Sequence, residues 1–349
     1  MDTTTRTRWP HVPLVVVERG GTVESVHAGS VAVVDADGRL VAGAGDPRTL
    51  AYTRSALKPL QALPFVLAGG VERYRLALHE LAVICASHSG EAKHQAAVLA
   101  ILGRAGLSPA DLQCGAHAPL VYDACRQIPP PPPYPVVANN CSGKHAGMLA
   151  CCTLNGWPIA DYLDPDHPLQ AAIRSAVARH TGTPEADLVR GIDGCSAPNY
   201  ALPLAGLALA YARLAAPGAG GADGPALGAI AGAMSTHPDY VSGERRGDLA
   251  LMRAGRGAWI AKVGAEGVQA IGLKRQRLGI AIKIADGATR AIAPAAIGVL
   301  EALGALDDDA RADLSAWASP VLHNARRTAV GRIRSCVVLD NPAPGGDAR

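Results

Sequence analysis

The sequence has no block of lysine and arginine, and its formal net charge at pH 7 is only +3. Nucleic acid and membrane surfaces are bound by concentrated positive charge, so neither is expected as a partner. No stretch approaches the roughly 18 apolar residues of a membrane-spanning helix. The early apolar run VPLVVV has the length of a strand and is too short for the core of a secretory signal. A cytoplasmic, reducing location is therefore expected. Eight cysteines in 349 residues do not make a disulfide scaffold. Most read as small core residues: Cys151 and Cys152 lie in an apolar helical run, and Cys85, Cys114, Cys125 and Cys336 have no companion motif. No internal repeat is visible.

What is present is apolar bulk. Hydrophobic residues make up 49% of the chain, enough for a sizeable core. Residues 13–45 read as strands separated by GG and ADG turns. Helices are expected over 55–69, 75–87 and 91–107, then at KHAGMLACCTLN, HPLQAAIRSAVARHTG and NYALPLAGLALAYARLAA. The segment RQIPPPPPYPVV lacks amide donors and should run over the surface as a stiff connector. APGAGGADGPA reads as a flexible loop. AWIAKVGAEG, VQAIGL and RLGIAIKIADG are strand-like, and 290–306 should be a closing helix. Strands at both ends and helices between them predict an α+β fold. Its antiparallel sheet would be built from the two terminal segments, over a mainly helical middle.

Within YTRSALKPLQALP, Ser55 and Lys58 fall one helical turn apart on the same face. A serine hydroxyl is a poor nucleophile unless a base takes its proton. A lysine can serve if burial and nearby positive charge hold it neutral. Pro59 is tolerated only in a first helical turn, so the pair should sit at a helix N-terminus. There the dipole disfavours an ammonium, and free N–H groups can meet an oxyanion. An S-x-x-K tetrad alone is common and usually means a solvated lysine. Here CASHSGE supplies a second serine, Ser87, and AKVGAEG supplies Lys262 on an expected strand with Gly264 two residues on. Serine β-lactamases and penicillin-binding proteins carry a helix serine, a middle serine and a late strand lysine in the same order.

Two further motifs gather sulfur and nitrogen. NNCSGKHAGM places Cys141, Lys144 and His145 at a loop-to-helix junction, and IDGCSAPNY places Asp193 and Cys195 on a glycine-flanked turn. Two thiolates with a nitrogen or oxygen donor suit zinc. The spacing is not that of a zinc finger, and two unrelated loop cysteines would give the same pattern. His27, His79, His117 and His167 have no nameable partner and read as structural or surface residues.

Taken together and in order, VERGGTVESVHAGSVAVVD, YTRSALKPLQALP, CASHSGE, NNCSGKHAGML, IDGCSAPNY and AKVGAEG resemble the signatures of the rhizobial-type L-asparaginases, also called asparaginase II. The likeness runs from about residue 13 to 335. That family is unrelated to the threonine asparaginases of bacterial types I and II. The resemblance implies a fold like that of serine β-lactamases and glutaminases, and a homodimer. It also implies a single catalytic domain over 1–349. Its sheet part would come from 13–50 and 255–340, its helical part from 51–254, with a disordered tail at 341–349.

By the same resemblance Ser55 is the nucleophile, Lys58 its base, and Ser87 with Lys262 a second Ser–Lys pair. Cys141, Lys144 and Cys195 would hold one zinc ion, with a neutral Lys144 and with Asp193 close by. The implied reaction is hydrolysis of L-asparagine to aspartate and ammonia through an acyl-enzyme. Arg54 and His88 are candidate donors to the substrate carboxylate, and Glu24 and Asp193 candidate acceptors for its ammonium. Each also reads as an ordinary structural residue. Two other readings stay open: a β-lactamase-like serine esterase or peptidase, and a non-catalytic amino-acid- or zinc-binding homologue.

Overall fold

The computed structural model describes residues 9–341; the tail expected to be disordered lies, apart from its first residue, outside them. The architecture is α+β, and its main sheet is antiparallel throughout. In chain order its strands are β1 (Val12–Arg19), β2 (Thr22–Asp35), β3 (Leu40–Ala44), β7 (Trp259–Gly264), β8 (Val268–Leu273), β9 (Leu278–Ile284), β10 (Val321–His323) and β11 (Ala329–Ser335). They are ordered β10-β11-β1-β2-β9-β8-β7, with β3 paired to β2. The two ends of the chain thus interleave: β2 joins β9 from Gly29↔Ile284 to Asp35↔Leu278, and β1 joins β11.

The tight packing follows from small residues. The apolar helix Leu204–Ala215 lies across β2, β8 and β9. Gly272 and Gly279 face each other across the β8–β9 ladder. A Cβ on Gly279 would fall 1.8 Å from the Ala208 carbonyl oxygen, and one on Gly272 would fall 2.6 Å from that of Tyr211. The pair leaves a slot without side chains for an alanine-rich helix, a use of strand glycine that backbone approach explains.

The helical middle has its main elements where periodicity put them, including Lys58–Leu67, Leu78–Ile84, Ala92–Arg104, Ser142–Asn155 and Pro168–Thr181. The proline segment is an exposed coil. Three expectations change. The run NYALPLAGLALAYARLAA is not one helix: Pro198–Pro203 is a strand, β6, between β4 (Leu50–Tyr52) and β5 (Val189–Ile192) in a second, three-stranded sheet. Residues 217–223 are a 3₁₀ turn leading into the helix Gly224–Thr236, anchored by Asp223 on His180 at 2.8 Å. The helix Thr289–Ala302 does not close the chain, because Asp308–Ala318, β10 and β11 follow it. Among the described residues no helix is long and apolar enough to cross a membrane.

Candidate active site

The Ser55 motif starts on a 3₁₀ turn, Arg54–Leu57, which runs directly into the helix beginning at Lys58 with Pro59 in its first turn. Arg54 holds a left-handed backbone, φ 48°, a strained conformation for a residue with a side chain. Asn199 on β6 stabilises it. Its side chain accepts from the Arg54 amide at 3.0 Å and donates to the Arg54 carbonyl at 3.1 Å. Ser55 is half-buried, and among the described residues no hydrogen bond ties up its hydroxyl.

Lys58 is fully buried, an expensive place for an amine without partners. Its Nζ donates to the Ala86 carbonyl at 2.6 Å, to Ser87 Oγ at 3.0 Å and to the Asn140 carbonyl at 3.3 Å. Ser87 sits just past the helix Leu78–Ile84, and its amide bonds to the Val241 carbonyl. The family resemblance pairs Ser87 with Lys262. The hydrogen bond found joins Ser87 to Lys58, because the helix that carries Lys58 faces the segment 86–87 directly.

Lys262 lies on β7, the edge strand of the main sheet, and is also fully buried. Its Nζ donates to the Val263 carbonyl at 2.8 Å and lies 3.7 Å from Asp248. Burial lowers its amine to about 7; Lys58 and Arg246 push the same way and Asp248 opposes them. The glycine expected to bring the strand close does so: a Cβ on Gly264 would meet the Thr53 carbonyl oxygen at 2.9 Å and Arg54 Cβ at 3.2 Å. Gly264→Ala is therefore expected to push β7 off the 3₁₀ turn and to cut kcat about tenfold or more, since small misplacements are costly in catalysis. Steady-state kinetics beside a thermal melt separates that loss from unfolding.

The four expected substrate contacts divide. Arg54 and Asp193 come together, Nε to Oδ1 at 2.8 Å, beside the candidate nucleophile. His88 is buried and both its ring nitrogens are engaged: Nδ1 accepts from the Gly90 amide and Nε2 lies 3.0 Å from Ser142 Oγ. Burial holds it neutral, its pKa well below the usual value, so it is a packing residue with no donor to spare. Glu24 stands near the exposed β1–β2 turn in an ion pair with Arg19 at 2.9 Å. It is not part of this cluster.

Cys141 precedes the helix Ser142–Asn155, Lys144 lies in its first turn, and Cys195 lies on the turn Asp193–Ala197. All three are buried, and Lys144 Nζ donates to Cys195 Sγ at 2.9 Å. The Cys141 thiol, the Lys144 amine and His145 together hold Cys195 far below its ordinary pKa, against the pull of burial. Burial presses the Lys144 amine down, but the Cys195 and Cys141 sulfurs outweigh it and hold it above its ordinary value. Burial lowers His145 to about 4; its Nδ1 meets the Tyr162 hydroxyl at 2.6 Å. Two sulfurs and an amine form a zinc-type donor set. Among the described residues no three of His, Cys, Asp and Glu stand together as metal ligands, so Lys144 would have to be the third. A metal there must displace its proton.

Two residues at the centre had no sequence motif to announce them. Asp248 is buried and accepts from the Val263 amide at 2.8 Å and Gln269 at 3.1 Å, beside Lys262. Arg246 donates to the Ser87 carbonyl. Both lie in ERRGDLALMRA, which reads as an ordinary charged helix start.

The site gathers buried amines, hydroxyls and an ion pair, and family comparison gives the class of the chain. The model of the L-asparaginase II family matches residues 15–335. The chain belongs to that family, and is thereby an asparaginase, an amidohydrolase acting on asparagine. No curated protein matches it. Among solved structures, a putative β-lactamase from Bacteroides dorei is similar at 11% identity and TM-score 0.39, over 84% of this chain and 94% of its own. A β-lactamase from Mycobacterium bovis is similar at 12% identity and TM-score 0.32, over 83% and 95%.

Proposed function

We propose that the chain hydrolyses L-asparagine through an acyl-enzyme on Ser55, with Lys58, Ser87 and Lys262 moving the protons. The observation that carries this reading is the buried Lys58 amine, 3.0 Å from Ser87 Oγ and one turn from Ser55. Ser55 Oγ attacks the side-chain amide carbon while its proton passes to Lys58. The proton travels by way of Ser87 to the amide nitrogen, and ammonia leaves. Water then attacks the ester, gives its proton to the same relay, and releases aspartate. Lys262 contributes positive charge when protonated and a base when neutral. Arg54 and Asp193 together present a cation and an anion, the complement of the substrate's α-carboxylate and α-ammonium.

Cys141, Lys144 and Cys195 would hold a zinc ion. Bound there, zinc would act as a Lewis acid that orients substrate. Lys144→Met is expected to remove bound zinc, read by elemental analysis of the purified protein; zinc retained in that variant would dismiss the amine as a ligand. The reading also includes a homodimer in the cytoplasm; a monomer in sedimentation would remove the first of these.

The decisive assay is ammonia release from asparagine, glutamine and a simple p-nitrophenyl ester, with and without added zinc. Turnover of asparagine is expected. An acyl-enzyme burst with the ester, and no ammonia from asparagine, would instead identify an esterase or peptidase.

A further inference from the structure

Behind β7, on the sheet face away from the Ser–Lys cluster, lies a cavity of about 510 Å³. Side chains alternate along a strand, so Lys262 and Val263 point to opposite faces. Val263 and its cross-strand neighbour Gln269 line this cavity. None of Ser55, Lys58, Ser87 and Lys262 does.

Its walls carry more positive charge than they neutralise. Arg126, Arg245, Arg246 and Arg290 line it, and among the described residues none of them is in an ion pair. Of its two carboxylates, Asp248 is taken by Lys262, the Val263 amide and Gln269, which leaves Asp123. Arg246 is half-buried, and burial works against its charge, with the Ser87 carbonyl as its hydrogen-bond acceptor. Ser242, 1% exposed, is among the lining residues. Gln269 and Thr289 also line it, and the remainder is apolar, notably Leu251, Ile292 and the Trp317 ring. A concave apolar floor with a few convergent polar groups is the usual form of a small-molecule site.

We propose that this cavity binds an organic anion with an apolar or aromatic body: its carboxylate or sulfonate meets the arginines, and its body lies against Leu251, Ile292 and Trp317. Charge-assisted hydrogen bonds to guanidinium are among the strong ones, and they match planar anions. The site is separate from the asparagine site, although Arg246 reaches both.

The test uses the full-length protein and the fluorescent anion 8-anilinonaphthalene-1-sulfonate. Saturable binding at one site per chain is expected, displaced by 1-naphthoate and unaffected by saturating asparagine. Arg126→Ala/Arg245→Ala, which touches neither the catalytic cluster nor the core, is expected to weaken binding on the order of tenfold or more, with its melting temperature and asparagine turnover unchanged. Equal binding by that variant, or displacement by asparagine, would overturn the proposal. So would competition by uncharged 1-naphthalenemethanol as strong as that of 1-naphthoate. The readout is binding, so its failure is distinguishable from a failure to release ammonia.

Discussion

Ser55→Ala is expected to lower kcat for asparagine by at least about 10⁴-fold while leaving the fold, and the content of any zinc bound at the proposed site, intact. If Ser55 is the nucleophile proposed above, its removal leaves only binding and electrostatic stabilisation, and comparable losses in serine hydrolases reach about 10⁶-fold. The structural cost should be small, because Ser55 is half-buried and nothing among the described residues depends on its hydroxyl. Kinetics beside circular dichroism and metal analysis checks all three parts. If turnover survives, Ser55 is not the nucleophile, and Ser87, already hydrogen-bonded to Lys58, is next in line.

The second large effect is on pH dependence. A buried lysine acts as a base only when neutral, and burial places Lys262 at about 7. The sign follows: kcat/KM should rise with pH through about 7, and fall below it as Lys262 takes up a proton. Asp248, 3.7 Å away, favours the protonated form, whereas Lys58 and Arg246 disfavour it. Asp248→Asn removes the opposing charge, so the acidic limb should move to lower pH, by at least about half a unit. The neutral amide still offers an acceptor to the Val263 amide, which limits the structural damage. A limb that stays in place, or moves up, would mean that another group controls it.

The arrangement also explains an apparent excess of buried charge. Lys58, Lys144 and Lys262 are all inaccessible to solvent or nearly so. Each has a distinct compensation: Lys58 has two carbonyls and a hydroxyl, Lys144 a thiolate, and Lys262 one carbonyl and a carboxylate. Burial lowers the Lys262 amine to about 7. Lys262 is also the one on an edge strand, where glycine at 264 lets the backbone close on the Arg54 turn.

Local chemistry was readable because it depends on near neighbours in the chain. Pro59 in the first turn of a helix, the alternation of β7 and the helical periodicity from Ser142 onward all follow from residues within a few positions of one another, whereas the left-handed turn at Arg54 is held by Asn199 on β6. The strand at Pro198–Pro203 escaped that reading. Its apolar residues fit a helix equally well, and partners at Leu50–Tyr52 and Val189–Ile192 decided for a strand. The same limit applies to β10 and β11, whose short, mixed sequences become strands by pairing, β11 onto β1 and β10 onto β11.

The motifs by themselves determined which groups are available for chemistry: two serines, three lysines and two cysteines at helix and strand ends. Only the tertiary structure decided who meets whom. It turned Ser87 to Lys58, set Arg54 against Asp193, engaged His88 with Gly90 and Ser142, left Glu24 near the β1–β2 turn, and brought Asp248 and Arg246 in from an unremarkable helix start. The reason is one of range. Backbone preference acts over a few residues, whereas a proton relay needs distances near 3 Å between groups up to two hundred residues apart, and only packing of the whole chain sets those.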